Sequence, residues 1–165
     1  MPDRLYRCAI FAGIAIPALL AFPMRDAFAQ QIQSENIRGL DFGRFVAGSG
    51  GTVTLAADGR RTSTGGVILL DSASTGEAAF SVGHGRPNSV ESGQAVIMLL
   101  PPNGSSRLAS GPNSMAVGDF TRTSAELASI PAGGTTLSVG ATLTVAPNQA
   151  PGNYSGTFSL IVNYQ

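Results

Sequence analysis

Between Leu137 and Val145 every odd position is apolar and every even one is small or polar: Leu137-Ser-Val139-Gly-Ala141-Thr-Leu143-Thr-Val145. Side chains alternate faces with period two only in an extended chain, so this run predicts a strand with one buried face. The last segment repeats the pattern. Tyr154, Phe158, Leu160, Val162 and Tyr164 fall on one side, and Ser155, Thr157, Ser159 and Asn163 on the other, with Ile161 on the outer side. No window carries an apolar period of 3.6 residues over three turns, which excludes a helical core.

Upstream, residues 40–47, 52–57, 66–70, 78–82, 95–100 and 114–121 read as further strands. The breaks between them fall at 48–51, 57–59, 72–76, 83–87 and 101–104, where Gly, Pro, Asn, Asp and Ser gather. Asp58-Gly59 and Asn103-Gly104 read as hairpin turns, and Gly48-Ser-Gly-Gly51 as a turn needing positive φ. About seven to nine short strands with turn signals roughly every ten residues predict an all-β, immunoglobulin-like antiparallel β-sandwich with Greek-key connections.

The N-terminal stretch follows a different rule. Arg4 and Arg7 precede an uncharged run from Cys8 to Phe22, and Ala27-Phe28-Ala29 then offers a small-x-small cleavage site. This order predicts a signal peptide over 1–29, cut between Ala29 and Gln30, with Ala27 and Ala29 as the recognised residues. The apolar run is shorter than the roughly 20 residues a spanning helix needs. Residues 30–165 are then one sandwich domain, with no membrane insertion of the mature chain. Cys8, the only cysteine, lies before the cut, so no disulfide is expected.

From Gln30 onward the chain holds seven Arg against eight acidic residues, without a basic cluster, and lysine is absent from the whole sequence. Nucleic acid binding, which rests on concentrated positive charge, is excluded, as are Schiff-base and Walker-lysine chemistry. The single histidine, His84, stands between Gly83 and Gly85 and reads as an exposed turn residue; no second His or Cys follows to share a metal with it. Gly152-Asn-Tyr-Ser155-Gly156 misses the spacing of a hydrolase nucleophile elbow by one residue and opens a strand. No catalytic residue, metal or cofactor is expected, and the chain reads as not an enzyme. Tyr154, entering a late strand just after Pro151-Gly152, has the setting of a tyrosine corner, whose hydroxyl bonds back to upstream backbone.

With those residues in view, the chain resembles the bacterial domain-of-unknown-function 4402 family. The likeness rests on Leu40-x-Phe42-Gly43, Gly48-x-x-Gly51-Thr-Val-Thr with Gly65-Gly66-Val67, Leu137-x-Val139-Gly140-Ala-Thr-Leu143, Pro151-Gly152-x-Tyr154-Ser-Gly156-Thr-Phe and Val162-Asn-Tyr164. It implies an exported domain without an assigned activity. A second likeness is to pilins and spore-coat-U-like subunits, through the penultimate Tyr164 and a glycine fourteen residues from the end, Gly152.

That likeness implies a groove beside Phe158, Leu160, Val162 and Tyr164 that a neighbour's strand fills, with Gly152, Tyr154 and Gly156 completing the motif. Two features depart from it: the pilin disulfide cannot form, and residues 30–36 offer only Ile32 as an apolar knob. The expected role is an exported structural or adhesive protein of a Gram-negative periplasm, cell surface or fimbrium, assembling with itself, a periplasmic chaperone or surface machinery. The competing expectation is a periplasmic binding or accessory module whose loops, such as 72–76 and 83–87, grip a glycan or a partner protein.

Overall fold

The computed structural model describes residues 32–84, 95–123, 126–127, 129–131 and 133–164. They form an all-β molecule of antiparallel strands. The largest sheet holds β1 (Ile32–Arg38), β3 (Gly51–Leu55), β4 (Arg61–Gly65), β6 (Ala78–His84), β8 (Ser106–Ser110), β9 (Asn113–Arg122) and β11 (Thr135–Val145). A three-stranded sheet runs in the order β10 (Glu126–Leu127), β7 (Val96–Leu99), β12 (Ile161–Tyr164), and β2 (Phe45–Val46) pairs β5 (Ile68–Leu69). These are packed β-sheets of the sandwich kind.

The alternating run that predicts a strand forms β11, the spine of the large sheet. Its first half pairs β6 over 135–139 and its second half pairs β3 over 141–145. Because β9 also pairs 139–144, β3 and β9 lie on opposite edges of β11. Leu137, Val139, Ala141, Leu143 and Val145 are all buried, as the alternation requires. They divide between two apolar clusters. Leu137 and Val139 sit with Ala78, Val82, Val96, Met98 and Ile130, whereas Ala141, Leu143 and Val145 sit with Phe42, Val53, Leu55, Val67, Met115 and Val117. Phe120 and Leu40 pack against both. Burying each Leu or Val side chain contributes about 1.5–3 kcal/mol, so β11 alone supplies a large share of the drive to fold.

Several expectations change in detail. Segments 40–47 and 66–70 shrink to the two-residue strands β2 and β5, and 154–164 forms a ladder only from Ile161. Four strands, β1, β4, β8 and β10, fall outside the expected segments altogether. Asp58-Gly59 does close a hairpin, between β3 and β4: Asp58 Oδ1 accepts from Arg60 N at 2.9 Å and Gly59 has φ 83°. Asn103-Gly104 is a tight turn but not a hairpin, because β7 before it and β8 after it belong to different sheets. Gly48 and Gly50 take φ 52° and 83°, the left-handed region their turn was expected to need.

Candidate functional site

The C-terminal segment crosses between layers. Ser155 bridges Ala109 on β8, with both backbone hydrogen bonds made (2.8 and 3.1 Å), and the chain then joins β7 as β12. Its register against β7 is continuous, from Ile161↔Leu99 to Tyr164↔Val96. One step further back Leu160 would meet Leu100 and Ser159 would meet Pro101. Pro101-Pro102 has no N–H to offer, so the ladder stops there. Inward, Phe158, Leu160, Val162 and Tyr164 are half-buried against the Leu137 cluster. Outward, Ile161 and its partner Leu99 are about half exposed (51% and 52%), a cross-strand apolar pair facing solvent. Among the described residues no strand pairs with the other edge of β12.

The motif residues at the C-terminus are brought together with distinct jobs. Tyr154 donates its hydroxyl to the Ala150 carbonyl (2.7 Å) and accepts from Gln149 Nε2 (2.9 Å), which is the bond back to upstream backbone that a tyrosine corner makes. A Cβ at Gly156 would run into the Arg107 carbonyl, and one at Gly152 would lie 2.6 Å from Ser110 Oγ, so both glycines let the chain lie against β8. Phe158 stacks between Phe80 (centroids 6.0 Å, edge-on) and Phe120 (5.2 Å, tilted). Ala27, Ala29 and Gln30 lie outside the described residues.

His84 corrects an expectation. It is the last residue of β6, half-buried, not an exposed turn residue. Its Nε2 is 3.0 Å from the Ile130 carbonyl, which can only accept, so that nitrogen carries the proton, and Nδ1 lies 3.2 Å from the Tyr164 hydroxyl. The flanking glycines mislead because β1 pairs with β6 as far as Ile32↔His84 and holds the strand straight. Residues 85–87 lie outside the described residues.

Beside β7 opens a groove of about 780 Å³, walled by residues 97–103 on one side and 119–122 on the other. A bulge shapes the second wall. The β9–β11 register runs from Gly118↔Thr142 to Thr121↔Gly140, so Asp119 and Phe120 together oppose Ala141. The extra residue reverses facing: Met115 and Val117 point inward before it, Phe120 and Arg122 after it. Asp119 absorbs the bulge at φ 45°, a left-handed conformation that aspartate tolerates better than most non-glycine residues. Asn103 holds it there, accepting from the Asp119 N–H and donating to Asp119 Oδ1, each at 2.6 Å. Arg122 Nη1 donates to the Met98 carbonyl at 2.8 Å and ties the two walls together.

Sequence reasoning placed Asp119 inside a regular strand. The signal was present: the apolar parity shifts from odd (Met115, Val117) to even (Phe120) across Gly118-Asp119, which marks a bulge. Elsewhere, Arg61 donates to the Leu70 (3.0 Å) and Arg44 (2.7 Å) carbonyls; its burial pulls the guanidinium below the usual arginine value, and Asp41 opposes that shift. Among the described residues no group of three metal-ligating side chains gathers.

A family model described as a domain of unknown function (DUF4402) matches residues 32–164. The chain belongs to the DUF4402 family. The match runs from the first residue of β1 to the last of β12, so the DUF4402 domain includes both the C-terminal edge and the groove. No curated protein and no solved structure matches this DUF4402 chain.

Proposed function

We propose that this DUF4402 protein is an exported, non-enzymatic structural and adhesive component of a Gram-negative envelope or surface, of the fimbrial-subunit kind, which joins protein partners by β-strand addition at β12. The observation that carries the reading is the state of that strand: a row of half-buried apolar side chains on a ladder paired on one side only among the described residues. An added strand would cover Leu160, Val162 and Tyr164 and satisfy the edge backbone in one step. Residues 32–38 already pair with β6 in the same chain, so they are not the strand that adds at β12. The basic, apolar and small-x-small order of the N-terminal residues supports export.

The test is to express the full chain in a Gram-negative host, fractionate the cells, and measure sedimentation of the purified protein across a concentration series. Recovery outside the cytoplasm with concentration-dependent association, or capture of a β-strand peptide, is expected. Cytoplasmic retention, or a monomer at every concentration that captures no peptide, sinks the reading. The competing reading, a binding module that grips its ligand directly, draws on the groove beside β7.

A further inference from the structure

We propose that the groove between β7 and the Asp119 bulge is a saccharide-binding site, with the Asp119 carboxylate as its principal polar contact. The proposal deepens the binding-module reading and does not depend on strand addition at β12.

Four observations lead to it. The first is the identity of the bulge residue. Aspartate is among the few non-glycine residues at ease at φ 45°, and here it sets an exposed side chain at the rim of the groove. Bulges re-aim side chains beside binding sites, and this one aims a carboxylate. The second is rigidity. Asn103 fixes both the backbone and one carboxylate oxygen of Asp119, and a Cβ at Gly118 would press on the same Asn103 oxygen at 3.2 Å. The carboxylate is thus held in place before any ligand arrives, which lowers the ordering cost of binding.

The third is charge. The walls hold one acid, Asp119, and one base, Arg122, whose guanidinium is anchored on the Met98 carbonyl. That balance disfavours a strongly charged ligand and suits one that both donates and accepts hydrogen bonds. The fourth is shape and surface. An open groove of about 780 Å³ falls in the size range of small-ligand sites. Leu100, Pro101, Pro102 and Phe120 offer apolar surface for the C–H face of a pyranose, while the Asp119 carboxylate stands ready for its hydroxyls. A polyhydroxylated ring with one apolar face meets all four conditions.

The deciding experiment is an amide NMR titration of the protein expressed from the full chain, with the methyl glycosides of mannose, galactose and N-acetylglucosamine as probes. Saturable shifts centred on the amides of Asn103, Gly104, Thr121 and Arg122 are expected with at least one of them. Asp119→Gly keeps the bulge, because glycine accepts its φ, and removes the carboxylate; affinity should fall about tenfold or more, the loss of one charge-assisted hydrogen bond. Thr121→Val, on the outward face of β9, should leave affinity unchanged. Silence with all three glycosides, shifts centred elsewhere, or undiminished affinity in a folded Asp119→Gly protein would each overturn the proposal. Because the titration reads a local contact, its failure leaves the association test at β12 untouched, and the reverse also holds.

Discussion

Tyr154 makes a contact whose cost of removal can be set from local geometry. Its hydroxyl closes the turn from Ala150 by donating to a carbonyl four residues back, and its ring packs on the Leu143 cluster. Tyr154→Phe keeps the ring and deletes the bond, so urea unfolding should show a loss of about 1 kcal/mol, more if the Ala150 carbonyl stays unpartnered. A loss indistinguishable from zero would mean that water replaces the hydroxyl. Asn103→Ala strips Asp119 of both its hydrogen bonds to that side chain while leaving φ 45° to be borne by an aspartate. A comparable loss of about 1 kcal/mol is expected, and Asp119→Gly in the same background should recover part of it by relieving the backbone. Recovery is the sharper readout, because a bond lost from an exposed side chain alone would not predict it.

Strands differ in how far their residues announce them. β11 and β3 were legible because burying one face of a central strand forces apolar side chains onto every second position. β4 was not, since Arg61-Thr-Ser-Thr-Gly65 is an edge strand whose inward residues are Arg61 and Ser63. Arg61 serves its own strand by reaching the Leu70 and Arg44 carbonyls, a polar solution that hydrophobic periodicity cannot see. β1 is similar: only Ile32 is even half-buried, so backbone pairing with β6, not side-chain burial, makes it a strand. Of the C-terminal row, Phe158, Leu160, Val162 and Tyr164 share one cluster as expected, whereas Tyr154 packs against the other, and the ladder begins only at Ile161, because the limit is set by Pro101-Pro102 on the facing strand. Such information lies sixty residues away in sequence. At β12, Ile161→Lys places a charge on the exposed face without touching the buried row. Stability should move by no more than about 0.5 kcal/mol, whereas strand addition, if it occurs at this edge, should weaken. Equal association by both proteins in sedimentation would locate the contact elsewhere. Gly140, where the pairing of β11 passes from β6 to β3, is a stricter case. A Cβ there would meet the Leu55 carbonyl and lie 2.6 Å from Ala57 N, so Gly140→Ala should cost about 1–3 kcal/mol by pushing β3 away, read as a lower urea midpoint.

Two apolar clusters in one molecule could mean two units that unfold separately, and the way they are joined argues otherwise. β11 runs unbroken through both, contributing Leu137 and Val139 to one and Leu143 and Val145 to the other. Phe120 and Leu40 pack against each, and Arg122, two residues beyond Phe120, fastens the large sheet to β7. Unfolding either cluster would strip a face from the strand that anchors the other, so the free energy of opening one half alone approaches that of opening both. The expected behaviour is a single cooperative transition. Leu137→Ala and Leu143→Ala, one in each cluster and both about 1% exposed, should each lower stability by about 2–5 kcal/mol. Both should shift the urea midpoint without changing the slope, since the surface exposed on unfolding is the same. The check is to follow unfolding of each variant by far-ultraviolet circular dichroism and by the chemical shifts of Tyr154 and Tyr164, which report on opposite clusters. Coincident curves mean that β11 couples the halves. Separation in Leu137→Ala, with Tyr164 released before Tyr154, would mean instead that the C-terminal half-sheet is a detachable layer over a core that stands without it.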